Sequence, residues 1–174
     1  MSWKEYYQRH LATAEEAVTH IKSGGRLVMA HACGEPSYLV DAMMANAAAY
    51  KNVEIVHMVA MGKGEYCKPE YAENFHHNAI FVGGSSRDAV AEGRADFTPS
   101  FFFEVPRLFR TTLPVDVAMV MVTPPDEHGK CSLGVSVDYT QEAVKQAKTV
   151  IAQVNPRMPW TGPNSLVGVE DLDV

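Results

Sequence analysis

The sequence has no long apolar segment and no excess of positive charge. A membrane-spanning helix needs about 18 or more uninterrupted apolar residues, and the chain of 174 residues contains no such run. Its formal net charge is −6, whereas proteins that bind nucleic acids carry clustered Lys and Arg. The amino terminus turns charged at Lys4 and Glu5 without an apolar secretory signal. We therefore expect a cytoplasmic protein that binds neither nucleic acid nor membranes.

Cysteine is scarce and has no framework spacing. Cys33, Cys67 and Cys131 are the only three, and no two of them form a C-x-x-C pair. An odd, scattered set favours a reducing compartment over a disulfide framework or a zinc ribbon. His76 and His77 are adjacent, so they cannot share one helical face as metal ligands. We place both on the solvated surface and expect no metal site.

Nucleotide-binding motifs are absent as well. The segment Met61-Gly62-Lys63-Gly64 contains G-x-G, but it lacks the third glycine and the immediately following helix of a dinucleotide fingerprint. A Walker A lysine motif, an internal repeat and a low-complexity tract are also missing. The sequence therefore predicts no tightly bound cofactor.

Short apolar runs alternate with helical patterns along the chain. The predicted strands are 26–31, 53–61, 79–82, 115–122 and 150–154, and the predicted helices are 13–22, 36–47, 87–92 and 141–148. This alternation predicts an α/β fold, a mostly parallel open sheet with helices on both faces. The length fits one domain.

The composition changes near the end of the chain. Residues 156–163 are rich in proline, and the acidic residues 170–173 follow. Such composition is typical of a domain boundary. We expect a domain over residues 1–155 and the start of a linker over 156–174, with a disordered natural tail as the alternative.

Candidate binding residues follow the first two predicted strands, because ligands of parallel α/β sheets are held at the carboxyl ends of strands. His31 could donate or accept a hydrogen bond with a substrate carboxylate or hydroxyl, although a satisfied core histidine is an equal alternative. Residues 34–36 lie at a strand-to-helix junction, where free N–H groups suit an anion unless the junction is only a helix start. The candidate substrate-binding residues are His31, Gly34, Glu35, Pro36, Met61, Gly62, Lys63 and Gly64.

Two further loops complete a recognisable pattern. A rigid polar loop with two prolines runs from Thr123 to Val135, and the segments 92–99 and 102–108 precede it. Together they resemble the acetyl-CoA hydrolase/transferase family. Its 4-hydroxybutyrate and butyrate:acetate CoA-transferases are similar through Ala30-His31, Glu35-Pro36, the segments 62–66 and 68–71, and Asn155-Pro156.

The resemblance implies the amino-terminal CoA-transferase (NagB/RpiA-like) domain of an enzyme. That enzyme would move CoA between a short-chain acyl or 4-hydroxybutyryl thioester and acetate. The family's nucleophilic glutamate lies in a carboxyl-terminal domain, so this chain is expected to hold no catalytic residue and to be inactive alone. The expected partners are acyl-CoA and short carboxylates as substrates, a carboxyl-terminal domain or subunit, and further copies in a homo-oligomer.

Two other functions stay open. The same scaffold could belong to an acyl-CoA hydrolase, in which water replaces the acceptor carboxylate. Alternatively, the chain could be a noncatalytic association module that docks a partner through Phe101 to Phe103. Glu35 and Glu104 are the carboxylates nearest to these features, and we assign both to structure or pocket lining.

Overall fold

The fold centres on a six-stranded parallel sheet. The computed structural model describes residues 1–174 throughout. The strands follow the order β4-β3-β2-β1-β5-β7, and every neighbouring pair is parallel. Their bounds are β1 Arg26–Met29, β2 Val53–His57, β3 Phe75–Ala79, β4 Ala95–Phe97, β5 Val117–Val122 and β7 Thr149–Val154. A second sheet pairs β6 (Lys130–Ser132) with β8 (Leu166–Gly168) in antiparallel fashion.

Six short α-helices surround the sheet. They are α1 Trp3–His10, α2 Ala14–Ala17, α3 Ser37–Ala45, α4 Arg87–Ala91, α5 Val105–Arg110 and α6 Thr140–Gln146. Thr13 caps α2 and forms a capping box with Glu16. The helix is shorter than predicted, because it passes into a 3₁₀ turn at Val18–His20. None of the helices has the length and apolar character needed to cross a membrane.

Both faces of the parallel sheet are buried. Leu27 and Met29 of β1 pack into one apolar cluster with side chains from α2, α3 and α4. Val28 and the following Ala30 point the other way, into a second cluster with side chains from α5 and α6. Side chains alternate between the faces of a strand, so a strand covered on both sides, such as β5, can be apolar throughout. The predicted α/β architecture is confirmed.

The third strand lies earlier than predicted. β3 spans Phe75–Ala79 rather than 79–82, because polar residues at its centre hide it from an apolar pattern. His77 is 2% exposed, and its Nδ1 lies 3.1 Å from the carbonyl oxygen of Ile55. The expected surface position is therefore wrong for His77. It holds for His76, which is exposed and pairs with Asp96 at 2.8 Å.

The last segment of the chain packs against the domain. Met158, Val167 and Leu172 are buried, and β8 lies within this segment. The N–H of Ala152, in the edge strand β7, donates to the carbonyl of Val174 at 2.8 Å. Residues 156–174 thus contribute to the folded core, while a linker that leads from them to another domain stays a prediction.

Candidate functional site

The strand order fixes where a ligand can bind. From β1 the chain proceeds through β2, β3 and β4 on one side, and then returns to place β5 and β7 on the other side of β1. The switch point of the sheet therefore lies between the carboxyl ends of β1 and β5. Open α/β sheets hold their ligands at such a topological switch point.

His31 lies at this switch point, two residues after β1. Its backbone N–H donates to Oγ of Ser136 at 2.9 Å, and its Nδ1 lies 3.1 Å from Oδ2 of Asp138. The rings of Phe102 and Tyr139 lie against its imidazole, with centroids 5.5 and 5.6 Å away. The side chain is 17% exposed. The imidazole is therefore held in place but still reachable from solvent.

The loop that follows β1 touches the segment between β6 and α6 closely. A Cβ atom added to Gly34 would lie 2.2 Å from Cβ of Ser136, so only glycine fits this contact. The hydroxyl of Tyr139 donates to the carbonyl of Met29 at 2.8 Å. These two contacts set the position of His31 relative to the segment 136–140.

Glu35 joins the loop after β1 to the loop after β2. Its Oε2 accepts hydrogen bonds from the N–H groups of Met61 at 3.0 Å and Gly62 at 2.9 Å. A Cβ atom on Gly62 would lie 2.3 Å from Oε1 of Glu35. Glu35 is only 7% exposed. Its carboxylate is thus buried against two backbone donors and holds both loops together.

The junction at residues 34–36 does not offer the free N–H groups that the sequence predicts. The N–H groups of Gly34 and Glu35 donate to carbonyls of the preceding turn, at 2.9 and 3.0 Å. Pro36 has no N–H. In the first turn of α3, the side-chain oxygen of Gln153 accepts from the N–H groups of Tyr38 and Leu39. The prediction of free amides at this junction is therefore wrong, because the preceding turn already accepts those of Gly34 and Glu35. A substrate-binding role for residues 34–36 stays a prediction.

Free amides occur instead in the loop after β2. The N–H groups of Lys63 and Gly64 make no hydrogen bond in the structure. Gly64 has a φ of 59°, in the left-handed region that favours glycine, and a Cβ atom there would meet Ser85 at 2.6 Å. The side chain of Lys63 is exposed and pairs with Asp41 at 3.1 Å. This loop can therefore present backbone donors to a ligand.

Tyr66 does not face a ligand. It is 1% exposed, and its hydroxyl lies 3.0 Å from Nδ1 of His57. Burial raises the pKa of the Tyr66 phenol well above its ordinary value. Burial, with His77 nearby, lowers the pKa of His57 to about 3. Tyr66 and His57 therefore form a buried, neutral pair.

Exposed phenylalanines flank the candidate site. Phe101 and Phe103 are 73% and 80% exposed and stack on each other at 5.9 Å. Phe102 lies between them in sequence and contacts His31. The loop from Thr123 to Val135 contains the strand β6, which pairs with β8. The apolar patch thus continues from the wall of the candidate site onto the open surface.

Asp138 and Ser136 were not predicted from the sequence. Both precede α6 and reach His31 only because β5 lies directly beside β1. The available signal was that Asp138 lies three residues before Gln141, where the predicted helix begins. Its connection to His31 depends on strand order, which the sequence pattern does not give.

The fold is that of an α/β domain whose candidate site lies at the topological switch point of the parallel sheet. The family model of the acetyl-CoA hydrolase/transferase N-terminal domain matches residues 1–173. The chain belongs to this family, as its amino-terminal domain.

Named relatives agree with this assignment. The 4-hydroxybutyrate coenzyme A transferase of Clostridium kluyveri is 55% identical over 99% of this chain and 41% of its own length. The butyryl-CoA:acetate CoA-transferase of Anaerostipes caccae is 35% identical over 91% of the chain and 36% of its own length. The chain therefore spans about two fifths of the curated relatives that it matches.

Solved structures share the fold. The crystal structure of RipA from Yersinia pestis has a TM-score of 0.92 at 28% identity, over 99% of this chain and 43% of that one. The 4-hydroxybutyrate CoA-transferase from Porphyromonas gingivalis has a TM-score of 0.83 at 33% identity, over 99% and 40%.

Proposed function

We propose that this chain is one wall of a CoA-transferase that moves CoA between a short-chain acyl or 4-hydroxyacyl thioester and acetate. The observation that carries the proposal is the family match over residues 1–173, with His31 at the switch point of the sheet. The attacking carboxylate belongs to a second domain. CoA thioester is the substrate, and the enzyme works as a homo-oligomer in the cytoplasm.

The two acidic side chains beside His31 are already engaged. Glu35 accepts two backbone hydrogen bonds, and Asp138 pairs with His31 while accepting from Thr140. A nucleophilic carboxylate must reach the thioester carbon, whereas Glu35 is buried and Asp138 is held by His31 and Thr140. This arrangement supports the family expectation that the glutamate, and the glutamyl thioester formed on it, belong to the second domain.

The chain supplies groups that suit the other needs of the reaction. Attack on a thioester places negative charge on the carbonyl oxygen, which preorganised N–H donors stabilise. The N–H groups of Lys63 and Gly64 make no internal hydrogen bond and fit this role. His31 hydrogen-bonds the carboxylate or the hydroxyl of the substrate. Phe102 gives the acyl chain an apolar surface beside that imidazole.

The exposed phenylalanines support docking of the second domain. A patch of this kind is unusual on an isolated surface and marks a contact. In the proposed enzyme, the second domain covers Phe101 and Phe103 and closes the crevice above His31. Closure would exclude water, which favours transfer to acetate over hydrolysis.

A chimera tests the proposal. Residues 1–174 replace the matched region of the C. kluyveri relative, and CoA exchange between butyryl-CoA and acetate is measured. The chimera should exchange CoA, and the isolated chain should not. The His31→Gln chimera should lose at least tenfold in kcat/KM, because a substrate hydrogen bond is lost. The unmodified relative serves as the activity control.

Two results would contradict the proposal. One is a folded chimera without CoA exchange, and the other is exchange by the isolated chain at the rate of the chimera. Thiol release without acetate, at a rate equal to exchange, would favour the acyl-CoA hydrolase instead. Circular dichroism and solution mass establish that each protein is folded.

A further inference from the structure

We infer that Asp138 is a positioning residue that fixes the tautomer of His31, so that Nε2 is the ring atom offered to the substrate. This inference rests on the proposed function, because it assigns a supporting role within that same site. It starts from the 3.1 Å contact between Nδ1 of His31 and Oδ2 of Asp138.

The contact determines which nitrogen carries the hydrogen. An ionised carboxylate can only accept hydrogen bonds, so Nδ1 of His31 must be the donor. In the neutral ring, Nε2 is then left as an acceptor. A substrate that offers a hydroxyl hydrogen would meet this acceptor. Protonation of Nε2 would instead offer a donor to a carboxylate.

The carboxylate of Asp138 is itself held in one orientation. Its Oδ1 accepts from the N–H and the hydroxyl of Thr140, at 3.2 and 3.3 Å. Thr140 begins α6. One oxygen of Asp138 therefore binds the first turn of a helix, and the other binds the imidazole. The ring position is tied to a rigid element rather than to a mobile loop.

The remaining contacts of His31 come from the same segment. Ser136 accepts from its backbone N–H at 2.9 Å, and the Oγ of Ser136 lies 3.0 Å from Oγ1 of Thr140. The ring of Tyr139 lies beside the imidazole. Residues 136–140 thus hold the backbone of His31 and contact one face of its ring. Asp138 determines which ring nitrogen carries the hydrogen.

Asp138→Asn provides a sharp test, because Thr140 controls how the new amide is oriented. The N–H of Thr140 needs an acceptor, so the amide oxygen of the Asn side chain should face it and the NH₂ group should face His31. Nδ1 of His31 then has to accept, and the hydrogen moves to Nε2. The substitution should therefore exchange the tautomer while changing few atoms.

The tautomer can be read directly by nitrogen NMR. In the 174-residue protein labelled with ¹⁵N-histidine, His31→Gln identifies the ring signals of His31. We expect the Nδ1–H tautomer in the unsubstituted protein and the Nε2–H tautomer in Asp138→Asn. An Nε2–H ring in the unsubstituted protein would overturn the inference, and that reading requires no variant at position 138.

Activity of the chimera tests the consequence for function. Asp138→Asn should lower kcat/KM at least tenfold, and adding it to His31→Gln should cause no further loss, since Asp138 acts through His31. Asp96→Asn is the matched control, because Asp96 pairs with exposed His76 at 2.8 Å and should leave activity unchanged. A further tenfold loss in the double variant, or full activity of Asp138→Asn, would refute the positioning role. Absence of exchange in the unsubstituted chimera would contradict the proposed function alone, since the NMR result stands independently.

Discussion

Oε2 of Glu35 accepts the N–H of Gly62 at 2.9 Å, across the gap between the loops that follow β1 and β2. The same oxygen also accepts the N–H of Met61. One buried carboxylate thus makes a single unit of the two loops that carry all the candidate substrate-binding residues. The geometry of the proposed site depends on this link.

Removal of the Glu35 carboxylate should destabilise the domain. Glu35→Ala leaves two backbone donors without their acceptor, which costs about 1–3 kcal/mol. Glu35→Gln keeps one oxygen and should lose less. The free energy of unfolding in urea measures both variants. Glu127→Ala is the control, because Glu127 is 86% exposed. A loss no larger in Glu35→Ala than in Glu127→Ala would contradict the structural role.

Gly34 should tolerate no side chain. A Cβ atom there would lie 2.2 Å from Cβ of Ser136, and overpacking of this kind costs about 1–3 kcal/mol. Gly34→Ala should therefore lower the thermal midpoint. Gly84→Ala is the matched control, because nothing lies within 4 Å of a Cβ atom at that position. Equal midpoints for the two variants would show that the loop after β1 can move freely away from Ser136.

The buried histidines should make the domain sensitive to mild acid. The pKa of His57 is lowered to about 3 and that of His77 to about 4, chiefly by burial, whereas an unfolded histidine has a pKa near its ordinary value of 6.5. Below pH 6.5 the unfolded chain binds protons that the folded domain does not. The free energy of unfolding is therefore at its full value above this pH. It falls as the pH decreases, by up to about 1.4 kcal/mol per pH unit for each histidine.

Urea unfolding at pH 7, 6 and 5 checks this acid dependence. The unsubstituted domain should lose stability between pH 6 and 5, and His77→Gln should show a shallower loss over the same interval. Exposed His76 provides a control, because His76→Gln should retain the slope. A free energy of unfolding that stays constant from pH 7 to 5 would rule out two neutral buried histidines.

The three thiols should differ sharply in reactivity. Cys33 is exposed, whereas Cys67 and Cys131 are buried. Burial raises the pKa of Cys67 to about 12 and that of Cys131 to about 11, and the thiolate is the reactive form. A chromogenic disulfide reagent should therefore titrate one thiol quickly in the folded protein, all three after unfolding, and none quickly in Cys33→Ser. Rapid reaction of a second thiol would place Cys67 or Cys131 at the surface.

The sequence predicted the elements whose patterns are local. β5 is apolar throughout, and the capping box at Thr13 marks its helix. The position of β3 was not predicted, because its centre is His-His-Asn. Polar groups of these residues hydrogen-bond to the neighbouring strand β2. β4, β6 and β8 are three residues each, too short for a period-two pattern to show.

The candidate site could be predicted only in part, for a related reason. His31 ends an apolar run, so its position at the carboxyl end of a strand can be inferred from the local sequence. Asp138 is 107 residues away in sequence, and its contact depends on β5 lying beside β1. The sequence wrongly predicts free N–H groups at Gly34 and Glu35, because the 3₁₀ turn in which these groups are hydrogen-bonded has no distinct residue pattern.

The central claim is that the acid that attacks the thioester lies outside residues 1–174. Peptide mass spectrometry of the chimera after incubation with butyryl-CoA tests it most directly, by locating covalently bound CoA. The account predicts a CoA thioester on a glutamate of the region contributed by the C. kluyveri relative, and no adduct on the isolated chain. A CoA adduct on any side chain of residues 1–174 would contradict it.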